Sequence, residues 1–267
     1  RACEVEGNTV TTTTNPRPFL ARHEFFVRRL HSLTGLVPVG AFMTVHLLAN
    51  ASILEGPGAF QKTVYQIHSL GALLPVVEWV FIFLPILFHG LLGLAIIRSG
   101  VMNTGTYCYS SNVRYMLQRA SGIIAFLFIF LHVFHMHGWI HLDVWVRNVV
   151  EPLGGGQFRP YSAPSTLRLA LSGWVFPTLY AIGILTCVFH LANGLWTMGI
   201  TWGVWTSPAA QRRANYLCGG VGVFLGIVGL STLFGAASID VPQARQVEDG
   251  MYSAKVQTHE IVPNDHK

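Results

Sequence analysis

The stretch WVFIFLPILFHGLLGLAIIR, residues 79–98, decides the fold of this chain. It is apolar throughout except for His89 and the closing Arg98. About 20 consecutive apolar residues form a helix long enough to cross the hydrocarbon core of a bilayer. An ionisable side chain inside such a helix is costly to bury and is usually functional. The stretch therefore predicts a transmembrane helix that carries a functional histidine.

Three more apolar stretches each combine a long span with one deeply placed histidine. They contain His46, His132 and His190, and a fifth span, over about residues 216–237, contains none. A single histidine in a membrane helix can serve only to hydrogen-bond a neighbouring helix. Four of them on four helices instead match two bis-histidine haems, since each iron takes two imidazoles. The sequence therefore predicts an all-α membrane protein of five transmembrane helices, with a four-helix bundle core holding two haems.

The composition agrees with an integral membrane protein. Of the 267 residues, 51% are hydrophobic and 11% are charged, well below the charged fraction of soluble domains. The net charge of +5 comes from basic residues at the ends of the spans, which indicates membrane topology and no nucleic-acid partner. No C-x-x-C-H motif for covalent haem attachment is present. We expect a polar cytoplasmic tail (1–24), a five-helix dihaem cytochrome domain (25–238) and a polar, mobile C-terminal tail (239–267).

Arginines are concentrated on the side of the membrane that holds the N-terminus. The N-terminal tail and the turns at about 98–114 and 203–213 lie on this side, and the loops of the opposite side hold few basic residues. Cytoplasmic loops carry the excess of Lys and Arg in membrane proteins. Because five spans place the termini on opposite sides, we expect the N-terminus in the cytoplasm and the C-terminus outside.

Depth in the membrane pairs the four histidines. A helix rises about 1.5 Å per residue, which puts His46 about 25 Å and His132 about 20 Å from the inner face. By the same measure His89 lies about 14 Å and His190 at most about 18 Å from that face. The hydrocarbon core is about 30 Å thick, so the first two lie in its outer half. We expect an outer haem held by His46 and His132 and an inner haem held by His89 and His190.

Further histidines follow His132 and compete with it as ligands. They are His135, His137 and His141, of which His135 lies one turn further on nearly the same helix face. Its depth, about 25 Å, is closer to the outer surface. We therefore keep His132 as the predicted ligand.

Polar residues at the inner interface are candidates for contacts with haem propionates. They are Arg29, His31 and Arg119. A lipid headgroup is the alternative partner of His31, and Arg29 can equally be an arginine that extends its charge to the membrane surface. Glycines on the same helices predict close approach of a flat macrocycle to the backbone, although glycine is common in membrane helices. These glycines are Gly35, Gly40, Gly90, Gly93, Gly122 and Gly194.

Several motifs together resemble a known family. The chain is similar, over about residues 24–235, to the cytochrome b membrane-anchor subunit of succinate dehydrogenase and fumarate reductase, in the form where one five-helix polypeptide carries two haems. The motifs that carry the resemblance are RRLHSL (28–33), VHLLAN (45–50), FLPILFHG (83–90), LQRASG (117–122), LHVFH (131–135), FHLANGLW (189–196) and TWG (201–203).

The resemblance implies cofactors, partners and a location. The four matching histidines would ligate two haem b groups, paired as their depths indicate. A flavoprotein subunit with covalent FAD and an iron–sulfur subunit would dock on the cytoplasmic face of the bacterial inner membrane, and neither FAD nor the clusters would lie in this chain. Electrons would pass between the iron–sulfur subunit and membrane quinone, in a succinate:quinone oxidoreductase or a quinol:fumarate reductase.

Quinone reduction needs a titratable group beside its site, because it consumes two protons along with two electrons. Bis-histidine ligation leaves no open iron position, so the haems are expected to move electrons only. Glu78 opens the second span on the outer side and is the main candidate for proton exchange. His68, His135 and Asp143 are weaker outer candidates. An inner quinone site near Ser32, Arg119 and Trp202 stays open as an alternative.

Two other classes of function compete with this hypothesis. One is the haem cytochrome of another quinone-linked complex, such as a hydrogenase or a formate dehydrogenase, but FHLANGLW together with RRLHSL disfavours it. The other is a haem-free transporter or proton carrier that uses the histidines as a relay. A haem assay separates this second class from both cytochromes.

Overall fold

Five long helices run through the part of the protein that the structure describes. The computed structural model describes residues 22–98 and 109–263. All regular secondary structure within them is helical, and the five helices long and apolar enough to cross a membrane confirm the predicted fold class. These helices are α1 (Glu24–Glu55), α3 (Gly71–Arg98), α4 (Ser110–His137), α7 (Val175–Thr201) and α8 (Pro208–Ala237).

Shorter helices within the described residues connect or follow the long ones. They include α2 (Pro57–His68), α5 (a helical segment at 143–150), α6 (Ala163–Ala170) and α9 (Val241–Gln257). Most of the predicted N-terminal tail and of the 98–114 turn lies outside the described residues.

The long helices alternate in direction and so define two ends of a bundle. At the end where α1 begins, Arg29 donates to the carbonyl of Thr201 at the end of α7. At the same end, Arg114 near the start of α4 bonds to Asn215 near the start of α8. We call this end the N-side, and the opposite end, which is covered by α2, α6 and α9, the capped end. Helix α7 packs against both α4 and α8 along their length.

Local sequence sets where the helices begin and end. Ser207 caps α8, since its hydroxyl oxygen accepts from the backbone N–H of Ala210, and Pro208 follows as the first helical residue. Helix α4 ends at Gly138, whose φ of +79° is the left-handed conformation that glycine adopts without strain. Helix α7 begins at Val175, because Gly173, at φ +74°, interrupts the helical path between α6 and α7.

Two of the long helices contain wide π-helical turns. One covers Gly35–Gly40 in α1 and includes Pro38, which has no N–H to donate. The other covers Glu78–Phe83 in α3. Wide turns of this kind occur frequently at functional sites. The first turn follows the candidate residues Arg29 and His31 in α1, and the second begins at Glu78 in α3.

The capped end is the most tightly packed part of the molecule. Its apolar core brings together residues of α1, α2, α4, α6, α7 and α8, whereas the long helices carry many exposed apolar side chains, as lipid contact requires. The core residues include Ile53, Phe60, Val64, Met136, Ala170, Tyr180 and Ala236. Helix α3 differs from the other spans in that none of its residues is buried.

The C-terminal segment departs from the prediction of a mobile tail. It is polar, but residues Val241–Gln257 form a helix that packs against α2 and α6. Glu248 is 1% exposed, and its carboxylate accepts from the backbone N–H and the hydroxyl of Ser165, at 2.7 and 2.8 Å. The fully buried Gln61 similarly bridges the carbonyl of Pro160 and the N–H of Ala163. Buried polar groups with all these partners fix the three segments together.

Candidate functional site

The structure brings His46 and His132 together. His46 lies on α1 and His132 on α4, and their ring centroids are 5.9 Å apart with the planes at 74°. Both lie towards the capped end of their helices, where Tyr180 of α7 reaches the Nδ1 atom of His132 at 3.2 Å. This is the pair that their depths predict.

A second pair lies closer to the N-side. His89 of α3 and His190 of α7 have ring centroids 6.2 Å apart, with the planes at 77°. The two pairs therefore take one residue from each of four helices, and α8, the fifth long helix, contributes none. The four histidines therefore lie in the two pairs that their depths in the membrane predict.

The spacing within each pair matches that of two imidazoles on one metal ion. A metal–imidazole nitrogen bond is about 2 Å, and the nitrogen lies about 1 Å from its ring centroid, so an iron between two imidazoles separates their centroids by roughly 6 Å. Within the described residues, no group of three or more His, Cys, Asp or Glu side chains could hold a metal ion. The four predicted ligands thus form two pairs, as an iron already held by a porphyrin requires.

Hydrogen bonds to Nδ1 leave Nε2 as the metal-facing nitrogen. The Nδ1 of His89 lies 3.0 Å from the carbonyl oxygen of His31, and that of His190 lies 3.1 Å from the carbonyl oxygen of Gln118. A carbonyl only accepts, so both Nδ1 atoms carry the hydrogen and both Nε2 atoms present a lone pair. Histidine ligands to metals are almost always held in this way by their second nitrogen. The donor set therefore fits a bis-histidine haem.

His190 is also tied into a polar network. Ser121 lies 3.2 Å from its Nδ1, and the side-chain amide of Gln118 donates to its backbone carbonyl at 3.2 Å. The Gln118 side-chain oxygen in turn accepts from Asn193 at 2.6 Å. Asn193 is nearly fully buried, so this network fixes α7 against α4 at the level of the inner pair.

The glycines near these pairs make room for rings of the protein itself. A Cβ at Gly35 would lie 2.2 Å from the Cε1 atom of His89, and one at Gly122 would lie 2.9 Å from that of His190. The same holds for Gly90 against Phe126. In the structure these glycines allow imidazole and phenyl rings to reach the backbone, and the approach of a macrocycle to them stays a prediction. The other glycines likewise face side chains: Gly40 faces Leu191, Gly93 faces His31 and Gly194 faces Gln118.

His31 lies directly beside the inner pair. Its ring stacks on that of His89, with centroids 4.0 Å apart and planes at 9°. Its Nδ1 is buried and has no hydrogen-bond partner among the described residues. A buried nitrogen without a partner is costly, so this atom is suited to bind a further polar group. The haem propionate predicted for His31 is of that kind.

The two arginines predicted to join His31 lie in different surroundings. Arg29 has its guanidinium 4.3 Å from the Phe25 ring centroid and 5.3 Å from that of Trp202, and it donates to the Thr201 carbonyl at 3.3 Å. Its Nε is buried without a partner among the described residues. The Arg119 guanidinium instead lies over the ring of Tyr115, at 4.0 Å. The described contacts of both arginines are thus with aromatic rings and a carbonyl.

Two of the three residues named for the alternative inner quinone site, Ser32 and Trp202, are in contact. Its indole N–H donates to the Ser32 hydroxyl at 3.3 Å. The third residue of that alternative, Arg119, makes its described contact with Tyr115 on its own helix.

His135 has an environment of its own. It is 8% exposed, stacks on Phe176 with centroids 4.2 Å apart, and lies with its Nδ1 2.9 Å from the Tyr180 hydroxyl. Tyr180 therefore contacts both His132 and His135. Since the ring facing His46 is that of His132, the geometry favours His132 over His135 as the partner of His46.

Glu78 belongs to a cluster of titratable groups at the capped end. Its carboxylate lies 3.8 Å from Nε2 of His137, and the His137 ring is 4.2 Å from that of His141. His68 of α2 interacts electrostatically with His137. Burial lowers the pKa of His68, which keeps its imidazole neutral, while its Nδ1 contacts the carbonyl of Val64 at 3.0 Å.

His137 and His141 are the residues of this cluster that sequence reasoning did not assign to proton exchange. Both were considered only as competing ligands, although His137 ends α4 at the level where α3 begins. The Nδ1 of His137 is buried with no hydrogen-bond partner among the described residues. Asp143, predicted as a weaker candidate, starts the helical turns of α5 and is exposed.

Comparison with known proteins identifies the family. No family model matches the chain. A curated relative, the succinate dehydrogenase cytochrome b558 subunit of Bacillus subtilis (strain 168), is 33% identical over 211 residues, which cover 79% of this chain and 96% of the relative. This agrees with the resemblance carried by the histidine motifs, which is thereby confirmed. The protein is a multi-pass membrane protein and belongs to the family of succinate dehydrogenase cytochrome b subunits.

Proposed function

We propose that this chain binds two haem b groups between its paired histidines and carries electrons from an iron–sulfur subunit to membrane quinone. One group would be held by His89 and His190 near the N-side and the other by His46 and His132 towards the capped end. The centroid spacings of 5.9 and 6.2 Å are the observation that carries this proposal. Bound there, haem would supply one-electron redox chemistry.

Side chains of this protein would supply both protein ligands of each haem iron and would hold those ligands in place. With two imidazoles to each iron, no position would be left for oxygen or another small ligand. The carbonyls of His31 and Gln118 orient the inner imidazoles, and the Tyr180 hydroxyl contacts the outer one. The unpartnered Nδ1 of His31 and Nε of Arg29 would bind propionates near the N-side.

The N-side would face the cytoplasm and the soluble partners. The excess of arginine at this end supports that orientation by the positive-inside rule. The relative's name, a succinate dehydrogenase subunit, supports a flavoprotein subunit with FAD and an iron–sulfur subunit as the partners. Succinate oxidation would take place in those subunits, and this chain would serve as their membrane anchor and electron carrier.

Proton exchange with quinone would take place at Glu78 and His137. Reduction of a quinone adds two electrons and two protons, and a carboxylate beside an imidazole can hold and release protons near neutral pH. The 3.8 Å separation of the two side chains and the nearby His141 and His68 support this assignment. The quinone would then lie at the capped end, on the side of the outer pair.

A haem count on the purified protein tests the proposal. The pyridine haemochrome assay should give two haems of the b type per chain, and a redox titration should resolve two components. One haem per chain would reject one of the two pairs as a ligand set. No haem at all would reject the cytochrome function and favour a relay of protons by the histidines.

A further inference from the structure

A cleft opens between α4, α7 and α8 on the side of the bundle away from α3. Its volume is about 890 Å³, and its walls are mainly apolar. Three polar residues, Arg114, Asn193 and Asn215, line the end of the cleft closest to the N-side. The apolar walls run towards the middle of the helices and include Leu185, Phe189, Val223, Ile227 and Leu230. The cleft thus has one cationic end and a long hydrocarbon-like remainder.

The charge of Arg114 has only neutral partners among the described residues. Its Nε donates to the side-chain oxygen of Asn193 in a short hydrogen bond, and its Nη1 donates to that of Asn215 at 2.6 Å. Its guanidinium carbon lies 3.7 Å from the Trp196 ring centroid. No described carboxylate lies within ion-pair distance, and residues 99–108, which precede α4, contain no Asp or Glu. A fixed cation that has no carboxylate partner among the described residues, at the edge of an apolar cleft, favours an anionic ligand.

We propose that this cleft binds one anionic phospholipid of the N-side leaflet. The phosphate would accept from the remaining N–H groups of Arg114 and from the exposed amide of Asn215, and an acyl chain would fill the apolar part. Basic pockets between transmembrane helices bind acidic lipid headgroups in this way. Arg212 and Arg213, both exposed at the start of α8, add positive charge at the same level. The proposal is independent of the haem and quinone assignments.

The chemistry of the cleft disfavours a reacting quinone as its occupant. A quinone that is reduced must receive protons from a nearby group. Guanidinium and amide groups do not exchange protons near neutral pH. The only other ionisable group lining the cleft in the described part of the chain is the thiol of Cys218, which is 1% exposed. The proton-exchanging cluster around Glu78 lies at the opposite end of the bundle.

Glycines on α8 permit a precise test of occupancy. A Cβ at Gly219 would have nothing within 4 Å, and Gly219 lines the cleft. Its neighbour Gly220 is equally unobstructed but does not line it. A Gly219→Leu side chain would therefore fill the cleft without altering Arg114, and Gly220→Leu is the matched control for the change in helix propensity and hydrophobicity.

Native mass spectrometry of the full chain, extracted in mild detergent with the subunits that accompany it, measures the lipid. Samples would be equilibrated with phosphatidylglycerol or with phosphatidylcholine of the same acyl chains. We expect one tightly held phosphatidylglycerol, retained on the order of fivefold less well in Arg114→Gln, which is the effect of one arginine near a membrane surface. Gly219→Leu should lose this lipid, while Gly220→Leu and Arg212→Gln should keep it.

Several results would overturn the proposal. Equal retention of phosphatidylcholine and phosphatidylglycerol would show that Arg114 selects no anion. A quinone that copurifies with the wild type and is lost from Gly219→Leu would identify a different occupant. Dissociation of soluble subunits from Arg114→Gln with unchanged lipid would place this arginine in a protein interface.

Discussion

At the scale of single residues, hydrogen bonds to the Nδ1 atoms orient the imidazole rings of the paired histidines. The Nδ1 atoms of His89 and His190 donate to backbone carbonyls, and that of His132 contacts a tyrosine hydroxyl. These partners are neutral, whereas many metal-bound histidines donate to carboxylates that make the imidazole more basic. The neutral partners orient the rings without adding negative charge inside the membrane, where such a charge is costly.

Loss of single ligands should reveal the pairing. We expect His46→Ala and His132→Ala to remove the same spectral component, and His89→Ala and His190→Ala to remove the other, because each iron needs both imidazoles. Low-temperature absorption spectra and redox titration of the purified variants resolve the two components. His141→Ala, which changes an exposed histidine, should keep both. Loss of one shared component from His46→Ala and His89→Ala would contradict the pairing.

Removal of the Glu78 carboxylate should slow quinone turnover and spare the haems. Glu78→Gln keeps the size of the side chain but cannot exchange a proton, and general acid–base groups typically contribute 100-fold or more to a rate. We expect succinate–quinone turnover to fall at least about tenfold, with two haems still present by haemochrome assay. Glu151→Gln changes an exposed carboxylate and should have no effect. Normal turnover in Glu78→Gln would remove this residue from the mechanism.

At the scale of helices, α3 is held differently from its neighbours. None of its residues is buried, yet it supplies both Glu78 and His89. Its close contacts include the stack of His89 on His31, the approach of Gly90 to Phe126 and the 3.8 Å approach of the Glu78 carboxylate to His137. This helix is thus positioned by a few specific contacts more than by a buried apolar face.

A methyl group at Gly35 should disturb the inner pair. The added Cβ would lie 2.2 Å from Cε1 of His89, so the ring or the helix must shift. We expect Gly35→Ala to lower the midpoint potential or the occupancy of the inner haem while leaving the outer component unchanged. Redox titration and a haem count measure both. Gly220→Ala, at an open position of α8, is the matched control, and an unaltered inner component in Gly35→Ala would contradict this packing.

At the scale of the whole molecule, regular helix geometry explains why the pairing of the four histidines could be predicted from the sequence. The rise per residue and the arginines at the helix ends were sufficient to group His46 with His132 and His89 with His190. The partner of Glu78 was not predictable, because His137 approaches it only through the relative rotation of α3 and α4. The buried role of Glu248 was equally hidden, since a carboxylate in a polar helix normally faces water. Asp240 and Pro242 were nonetheless a recognisable start signal for α9.

The docking of α9 should depend on its buried carboxylate. Glu248→Ala would leave the N–H and hydroxyl of Ser165 without their acceptor, which costs about 1–3 kcal/mol for a buried group. We expect faster proteolysis and faster amide hydrogen exchange of α9 and α6, with both haems retained. Gln246→Ala, at an exposed position of the same helix, should behave as the wild type. Unchanged protection of α9 in Glu248→Ala would show that apolar contacts alone hold it.

The hydrogen bonds between Ser165 and Glu248 join residues 83 positions apart, and α9 follows all five membrane helices in the sequence. The faces of α2 and α6 that α9 covers are therefore synthesised before the helix that covers them. A chain that stops after residue 240 would have all five described spans and still expose these faces, which quality-control proteases can recognise.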